Sequence, residues 1–279
     1  MSDSFMGLES LGFKNISDMD IYADEKEKEA EEHAAAEAEV EHDFEAEILY
    51  DKSMSCPCCY EEFTAKTVRT GKVKSMEADS DLRPRYEKVD VLKYDAIVCP
   101  KCGYASLSKY FPVVTDGQKK LIREQISKSF TGIENDMDKY TYDDAIIRHK
   151  LALFNMVVKK GRSSEKAFTC LKLAWLYRGK AEEMVQNKSQ ENVSEVIKEE
   201  LANLKNAYEG FATAFSNEAF PICGMDQATL MYLLAEIARR LGQKDVAKRW
   251  ISKVIGMRGV NRRIIDKAVD MKHLLFDKE

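Results

Sequence analysis

Residues 55–63 read SCPCCYEEF and residues 94–105 read YDAIVCPKCGYA, and these two stretches decide the fold of this 279-residue chain. Each stretch holds two cysteines separated by two residues, with a proline after the first: Cys56 and Cys59, then Cys99 and Cys102. Two thiolates at this spacing reach one metal ion, and two such pairs complete a tetrahedral shell. We therefore predict a four-cysteine metal site.

The predicted metal is zinc, which commonly takes four thiolates in structural sites. A single iron ion is the alternative, because Cys99-Pro100-Lys101-Cys102-Gly103 also resembles a rubredoxin knuckle. A closed four-thiolate shell leaves no position for water or substrate, so the ion is expected to be structural rather than catalytic. Buried or disulfide-bonded cysteines are the competing interpretation.

The remaining cysteines and the histidines give weaker signals. Cys58 would pair badly with either neighbour on one tetrahedron, so we predict that it is not a ligand, with a redox or alternate-ligand role as the other option. Cys170 lies in an apolar helical run and is expected in the core, and nothing links Cys223 to chemistry. The histidines have no ligand spacing and are expected to be surface or helix residues: His33, His42, His149 and His273.

The region around the cysteines has the composition of short strands. Runs rich in β-branched and aromatic residues predict strands at 63–69, 72–74 and 91–98. Between them, residues 79–86 (DSDLRPRY) form a polar loop in which Pro84 argues against helix. We expect Asp79, Asp81 and Arg83 to form ion pairs that brace the cysteine module, although a polar site is conceivable.

From about residue 117 the apolar residues recur at helical spacing and predict about seven helices. Small residues at helix-crossing positions resemble tetratricopeptide repeats, but Ala145, Ala207 and Ala247 are unevenly spaced against a repeat of about 34 residues. A plain helical bundle is the alternative. Stacked repeats would form a groove for a peptide or protein segment. Four aromatic residues are candidates for that groove or for the core: Trp175, Tyr177, Tyr208 and Tyr232.

Charge is unevenly distributed. Residues 1–50 contain 16 Asp and Glu against 3 Lys, whereas the whole chain has a net charge of only −5. We expect this acidic arm to be a solvated linker, disordered or transiently helical, in which residues 5–22 could serve as a docking segment. Residues 239–279 contain 12 Lys and Arg against 5 Asp and Glu. That basic stretch is expected to be a solvated helical face, with docking of the arm or a phosphate contact as alternatives.

The predicted fold is α+β and mostly α: an acidic arm (1–50), a zinc-ribbon β module (51–115) and a tetratricopeptide-like domain of antiparallel helical hairpins (116–279). No signal peptide and no run of about 20 apolar residues is apparent, which favours a cytoplasmic protein without a membrane partner. No phosphate-binding glycine loop, nucleophile elbow or open zinc signature is apparent either. We therefore predict a non-enzymatic protein-interaction or scaffold protein, with nucleic-acid binding through the ribbon as the alternative.

The chain resembles a family of uncharacterised bacterial proteins, domain-of-unknown-function family 2225. The resemblance rests on SCPCCYEEF, DSDLRPRY and YDAIVCPKCGYA, continues into LAWLYR and LAEIARRLGQKDVAKRW, and includes SLGFKNISDMDIY before the acidic arm. It implies a cytoplasmic bacterial setting and no particular activity. The chain departs from the family pattern at Cys58 and at Tyr60, where a glycine often follows the first knuckle.

Overall fold

The computed structural model describes residues 44–189 and 192–276. Residues 1–43 of the predicted acidic arm, with His33 and His42, lie outside the described residues. The described part begins with a short helix, α1 (Phe44–Ile48), which leads directly into the first strand at Leu49. No helix of the described chain is both long and apolar enough to span a bilayer.

The strands of the described chain pair as three separate two-stranded antiparallel sheets. Their bounds are β1 (Leu49–Ser55) with β2 (Glu62–Val68), β3 (Ser75–Met76) with β4 (Arg85–Tyr86), and β5 (Ala96–Val98) with β6 (Ala105–Leu107). β1–β2 and β5–β6 are hairpins whose connecting turns contain the cysteine pairs. The sheets therefore hold the two turns that the sequence identified.

Two of the three predicted strands need correction. Residues 72–74 are not a strand, because Thr70–Lys72 is a 3-10 turn and the strand begins at Ser75. Of residues 91–98 only Ala96–Val98 is a strand, since Val91–Tyr94 forms a 3-10 turn. The Asp90 carboxylate accepts a hydrogen bond from the Leu92 N–H and caps that turn, a local side-chain contact that overrides the β-favouring composition.

The helices occupy most of the rest of the chain. After α1 they are α2 (Asp116–Ile122), α3 (Tyr142–Val158), α4 (Ser163–Gln186), α5 (Val193–Asn217), α6 (Gln227–Arg240), α7 (Lys244–Gly256) and α8 (Arg262–Phe276). A single π-helical turn, Arg123–Ser127, extends α2. Thr115 and Thr141 begin α2 and α3 with capping boxes. The predicted fold class, mostly helical with a small antiparallel strand region first, is confirmed.

Successive helices from α3 to α8 pack against each other, with small residues at the closest approaches. A Cβ on Gly210 of α5 would lie 2.8 Å from the Ala167 Cβ of α4, and one on Gly179 of α4 would lie 2.5 Å from the Tyr142 ring. Glycine is thus required for α4 to approach both neighbours. Three of the four aromatic residues considered for a groove, Trp175, Tyr177 and Tyr232, are buried in the core instead.

Candidate metal centre

The two cysteine pairs lie in turns of the same construction. In the first turn the Cys56 N–H donates to the Glu61 carbonyl and the Tyr60 N–H donates to the Cys56 carbonyl. In the second turn the Cys99 N–H donates to the Tyr104 carbonyl, and the Gly103 N–H donates to the Cys99 carbonyl. Each turn therefore closes its hairpin and leaves two cysteine side chains on one side. The shared pattern explains why both pairs present their sulfurs in the same way.

The residue after each pair has a left-handed backbone, with φ of 63° at Tyr60 and 71° at Gly103. Glycine adopts this conformation without steric cost, whereas a tyrosine does so at a cost in free energy. The departure from the family pattern at Tyr60 therefore leaves the turn geometry unchanged. The protein tolerates tyrosine here because its side chain is largely exposed.

The four predicted ligands converge. The sulfur atoms of Cys56, Cys59, Cys99 and Cys102 all lie within 4.8 Å of one another, and the Cys56–Cys102 and Cys59–Cys99 distances are both 3.6 Å. These distances are far longer than the roughly 2.05 Å of a disulfide bond. A tetrahedral ion with metal–sulfur bonds of about 2.3 Å requires sulfur atoms about 3.8 Å apart. The donor set therefore fits a single thiolate-bound ion.

The electrostatics of the thiols favour ionisation at one position. The thiol contact with Cys102 holds the pKa of Cys56 well below its usual value, and the contact with Cys56 raises the pKa of Cys102. The Cys58 N–H also lies 3.4 Å from the Cys56 sulfur, where it can stabilise a thiolate. Because a bound metal needs all four sulfurs deprotonated, loading the site would release protons from the other thiols.

The π turn after α2 supports both cysteine turns, which the sequence did not indicate. Arg123 donates to the Cys58 carbonyl of the first turn at 2.8 and 3.3 Å, and Ser127 donates to the Cys102 carbonyl of the second at 2.8 Å. Ile122 and Ile126 pack among the cysteines in one apolar cluster. One short segment thus fixes the two turns relative to each other.

α3 supports the second turn from the other side. The Asn155 side chain donates to the Gly103 carbonyl at 3.0 Å. A Cβ on Gly103 would lie 2.6 Å from the Phe130 ring, so the ring covers the turn at contact distance. The site is therefore enclosed by the helical half of the chain as well as by its own hairpins.

The other candidate residues lie apart from the four sulfurs or outside the ligand set. Cys58 is completely buried and is not part of the four-cysteine group. Cys170 lies in the helical core, as predicted, and the Cys223 thiol donates to the Ser164 carbonyl at 3.4 Å. His149 is fully buried in α3, bonds the Ala145 carbonyl, and has its pKa lowered to about 4 by burial. His273 is exposed on α8.

The ion pairs predicted for the loop 79–86 form, but they mainly join the loop to α4 rather than to the cysteine module. Asp81, with no solvent exposure, accepts bonds from both terminal nitrogens of Arg178 and from the Trp175 ring nitrogen at 2.6–3.1 Å. Arg83, also buried, pairs with Asp90 at 2.8 Å and with Glu182 at 3.3 Å. The loop is therefore fixed on the helical half of the chain.

A second set of contacts extends from the same loop to α6. The Ser80 hydroxyl donates to Glu236 at 2.6 Å, and the Tyr232 hydroxyl donates to the Ser80 carbonyl at 2.7 Å. Glu236 is itself buried and held by Arg239 and Arg240. Sequence reasoning missed these partners because they lie more than 150 positions along the chain. The available signal was Glu236, the one carboxylate within the largely apolar sequence of α6.

Residues 49–275 match the model of a family described as "Uncharacterized protein conserved in bacteria (DUF2225)". No curated protein and no solved structure matches the chain. The match begins at the first residue of β1 and ends in α8, so it includes both cysteine turns, the loop 79–86 and every helix from α2 onward.

Proposed function

The chain belongs to the bacterial family described as uncharacterized protein conserved in bacteria (DUF2225), and on that premise we propose that it is a non-enzymatic protein-interaction module held together by a structural zinc ion. The observation that carries the proposal is the closed set of four sulfurs between two hairpins and α2, in which three of the cysteines are buried and Cys59 is partly buried. A shell of this kind has no position for a reacting water, so its contribution is to stability rather than chemistry.

Zinc is the proposed ion, with iron as the second choice. Four thiolates are soft ligands that suit zinc and single iron ions alike, and structural sites use zinc most often. Metal analysis of protein purified without chelator distinguishes the two. We expect one zinc ion per chain and a colourless solution, whereas a stoichiometric iron ion would give a visible thiolate-to-iron absorption and overturn the zinc assignment.

The interaction role rests on uncovered apolar surface in the helical half. Ile147, Phe154 and Val157 on α3 are about half exposed, and no element of the described chain covers them. Exposed apolar surface is costly in water, and contiguous patches commonly mark binding sites. We propose that a protein segment covers this face when the chain acts, with the helices arranged as tetratricopeptide-like hairpins.

Nucleic-acid binding through the ribbon is the second candidate, and the charge pairing disfavours it. Of the basic ribbon residues, Arg83 is buried, Arg85 pairs with Glu182, Lys66 with Asp51 and Lys74 with Glu87. Paired cations release fewer counterions and bind phosphate weakly. Residues 246–265 contain no Asp or Glu, and four exposed cations there are a better candidate for such a contact: Arg249, Lys253, Arg258 and Arg263.

Recovery of partners by the tagged full-length chain from its own bacterium tests the proposed function, with metal analysis of the same sample. We expect defined protein partners that withstand high salt. Recovery of nucleic acid that is lost steeply as salt rises would favour the second candidate instead. A cytoplasmic setting is part of the proposal, because a reducing compartment keeps the seven free cysteines as thiols.

A further inference from the structure

The outward face of α3 has the spacing of a helix-pairing seam. Ile147, Lys150, Phe154 and Val157 follow one another at intervals of three and four residues, and all are exposed. The three apolar side chains have exposed fractions of 54%, 49% and 57%. Intervals of three and four place side chains in one row along a helix. We call this row the α3 stripe.

A cavity of about 460 Å³ opens beside the α3 stripe. Nine residues line the cavity, and Lys150 is the one charged residue among them. Five of the others are large and apolar: Phe130, Ile133, Ile147, Leu151 and Phe154. The Lys150 Nζ lies 5.6 Å from the centre of the Tyr177 ring, a contact that orients the one cation of the stripe. The cavity is large enough to accept a big apolar side chain.

No helix of the described chain covers α3 where Ile147 and Phe154 lie, and Val157 borders an open groove between α3, α4 and α5. Its inner face is occupied, with Ile146, Ala152 and Met156 buried against β5, β6 and α4. α4 to α7 each pack between the helix before and the helix after them. In contrast, residues 131–140 before α3 are irregular. Among the described residues, the first helix of the array therefore has an uncovered flank, and the exposed apolar row lies on it.

We infer that the α3 stripe binds one amphipathic α-helix of a partner protein, a conclusion that rests on the proposed function and names the partner's chemistry. The apolar residues of the partner helix pack on Ile147, Phe154 and Val157. One large side chain of that helix enters the cavity, and one of its carboxylates faces Lys150. Intervals of three and four match another helix, whereas an extended peptide presents side chains with a period of two. The single cation on the apolar row selects a partner with an acidic group.

The test uses the metal-loaded full chain and a fluorescent synthetic peptide of about 20 residues, long enough to form a helix. The peptide carries leucines at intervals of three and four and glutamates beside them, and a scrambled peptide of the same composition is the control. Fluorescence anisotropy measures binding. Val157→Glu should weaken binding at least tenfold, whereas Val185→Glu, a matched change at a valine 65% exposed on α4, should not change it.

Equal binding of the scrambled peptide, or equal loss in the two valine variants, would overturn the inference. So would sedimentation showing that the chain is a dimer that Val157→Glu dissociates, because a second copy would then occupy the stripe. The outcomes also separate this inference from the proposed function. If the tagged Val157→Glu chain retains the wild-type protein partners, the stripe is not their site and the interaction role stands; if the wild type recovers no protein partner, the interaction role itself fails.

Discussion

Tyr60 and Gly103 occupy the same backbone position in the two cysteine turns, yet their surroundings differ. Tyr60 is exposed, and the Lys119 Nζ lies 5.8 Å from the centre of its ring. Gly103 is buried beneath Phe130. A side chain is therefore accommodated at one turn and excluded at the other, although φ is left-handed at both. This difference decides which residue of the pair is sensitive to substitution.

Gly103→Ala is expected to destabilise the metal-loaded protein by about 1–3 kcal/mol, because the new Cβ meets the Phe130 ring and the left-handed φ penalises alanine. Tyr60→Ala is the matched control, since it keeps a Cβ at the same φ and removes only an exposed ring. It should cost well under 1 kcal/mol. Native-state hydrogen exchange of peptides from residues 49–68 and 96–107 measures both, and equal losses would contradict the proposed role of Phe130.

Replacing single cysteines tests the ligand set. Cys59→Ala should abolish stoichiometric metal binding, because three thiolates leave the tetrahedral shell open. Cys58→Ala should retain one metal ion per chain, because Cys58 lies outside the group of four sulfurs. Cys58→Ala should lower the free energy of unfolding by about 1 kcal/mol, because the smaller side chain leaves a small cavity in a buried site. Metal analysis of the two purified variants measures the metal content per chain. Loss of the ion from Cys58→Ala would show that Cys58 belongs to the ligand set.

At the scale of single residues the sequence was sufficient to group the four cysteines and insufficient to show what supports them. Cysteine spacing is a local property, so the convergence of Cys56, Cys59, Cys99 and Cys102 could be predicted without coordinates. Arg123 and Ser127 donate hydrogen bonds to backbone carbonyls of the turns. Every residue has such a carbonyl, so the sequence does not indicate which residue accepts the bond. Such partners become visible only when the packing is known.

The loop 79–86 is one of the elements that join the strand region to the helices. Its carboxylate Asp81 is surrounded by Arg178, Trp175 and Arg240. Burial by itself raises the pKa of Asp81, but the hydrogen bonds and the charge of Arg178 oppose this effect and outweigh it, so the net pKa is below the usual value. The ionised form is therefore the form that the folded protein stabilises.

Asp81→Asn should destabilise the protein by about 3 kcal/mol, because removing one partner of a buried ion pair leaves the other charge poorly compensated. Asp266→Asn is the matched control. It breaks the exposed pair with Arg262 on α8, and exposed pairs contribute little to stability. Urea unfolding by tryptophan fluorescence measures both, and Trp175 reports directly on the site. Equal effects of the two substitutions would show that the loop contacts add no net stability.

The stability difference between the wild type and Asp81→Asn should depend on pH. Because the pKa of Asp81 is lowered in the folded state, its contribution is complete above the unfolded value of about 3.9. It disappears as the pH falls through the folded pKa, where the carboxylate takes up a proton. The difference should therefore be constant near neutral pH and shrink below about pH 4. A difference that grows in acid would contradict the assignment.

Element prediction succeeded where the signal was periodic and failed where one contact overrode it. Apolar residues at helical spacing located the helices from α2 to α8. The segment 91–98 was predicted as one strand, yet the Asp90 cap turns its first half into a 3-10 helix and directs Leu92 into the helical core. β1 was missed because only Leu49 of its seven residues is buried, so it lacks the alternation of a half-buried strand.

For the molecule as a whole, removal of the metal should loosen one part of the structure more than the rest. The ribbon hairpins and the π turn depend on the four-sulfur site, whereas α6 to α8 pack in a cluster of their own. Hydrogen exchange with and without chelator should show lost protection in residues 49–68, 96–107 and 116–127. Peptides from α7 and α8 serve as the internal control. Uniform loss of protection along the chain would contradict this division.

The position of the loop 79–86 also sets an order of events during synthesis. Ser80 and its partner Glu236 are separated by 156 positions, and Asp81 and Trp175 by 94. At about 5–20 residues per second, Ser80 leaves the ribosome's catalytic centre roughly 8–30 s before Glu236 is added. All four cysteines are made before α2, so the nascent ribbon has its complete ligand set while the loop still lacks its helical partners. The four cysteines are therefore complete before the loop can insert, and Asp81 remains hydrated until Arg178 and Trp175 of α4 emerge, whereas Arg83 can pair earlier with Asp90.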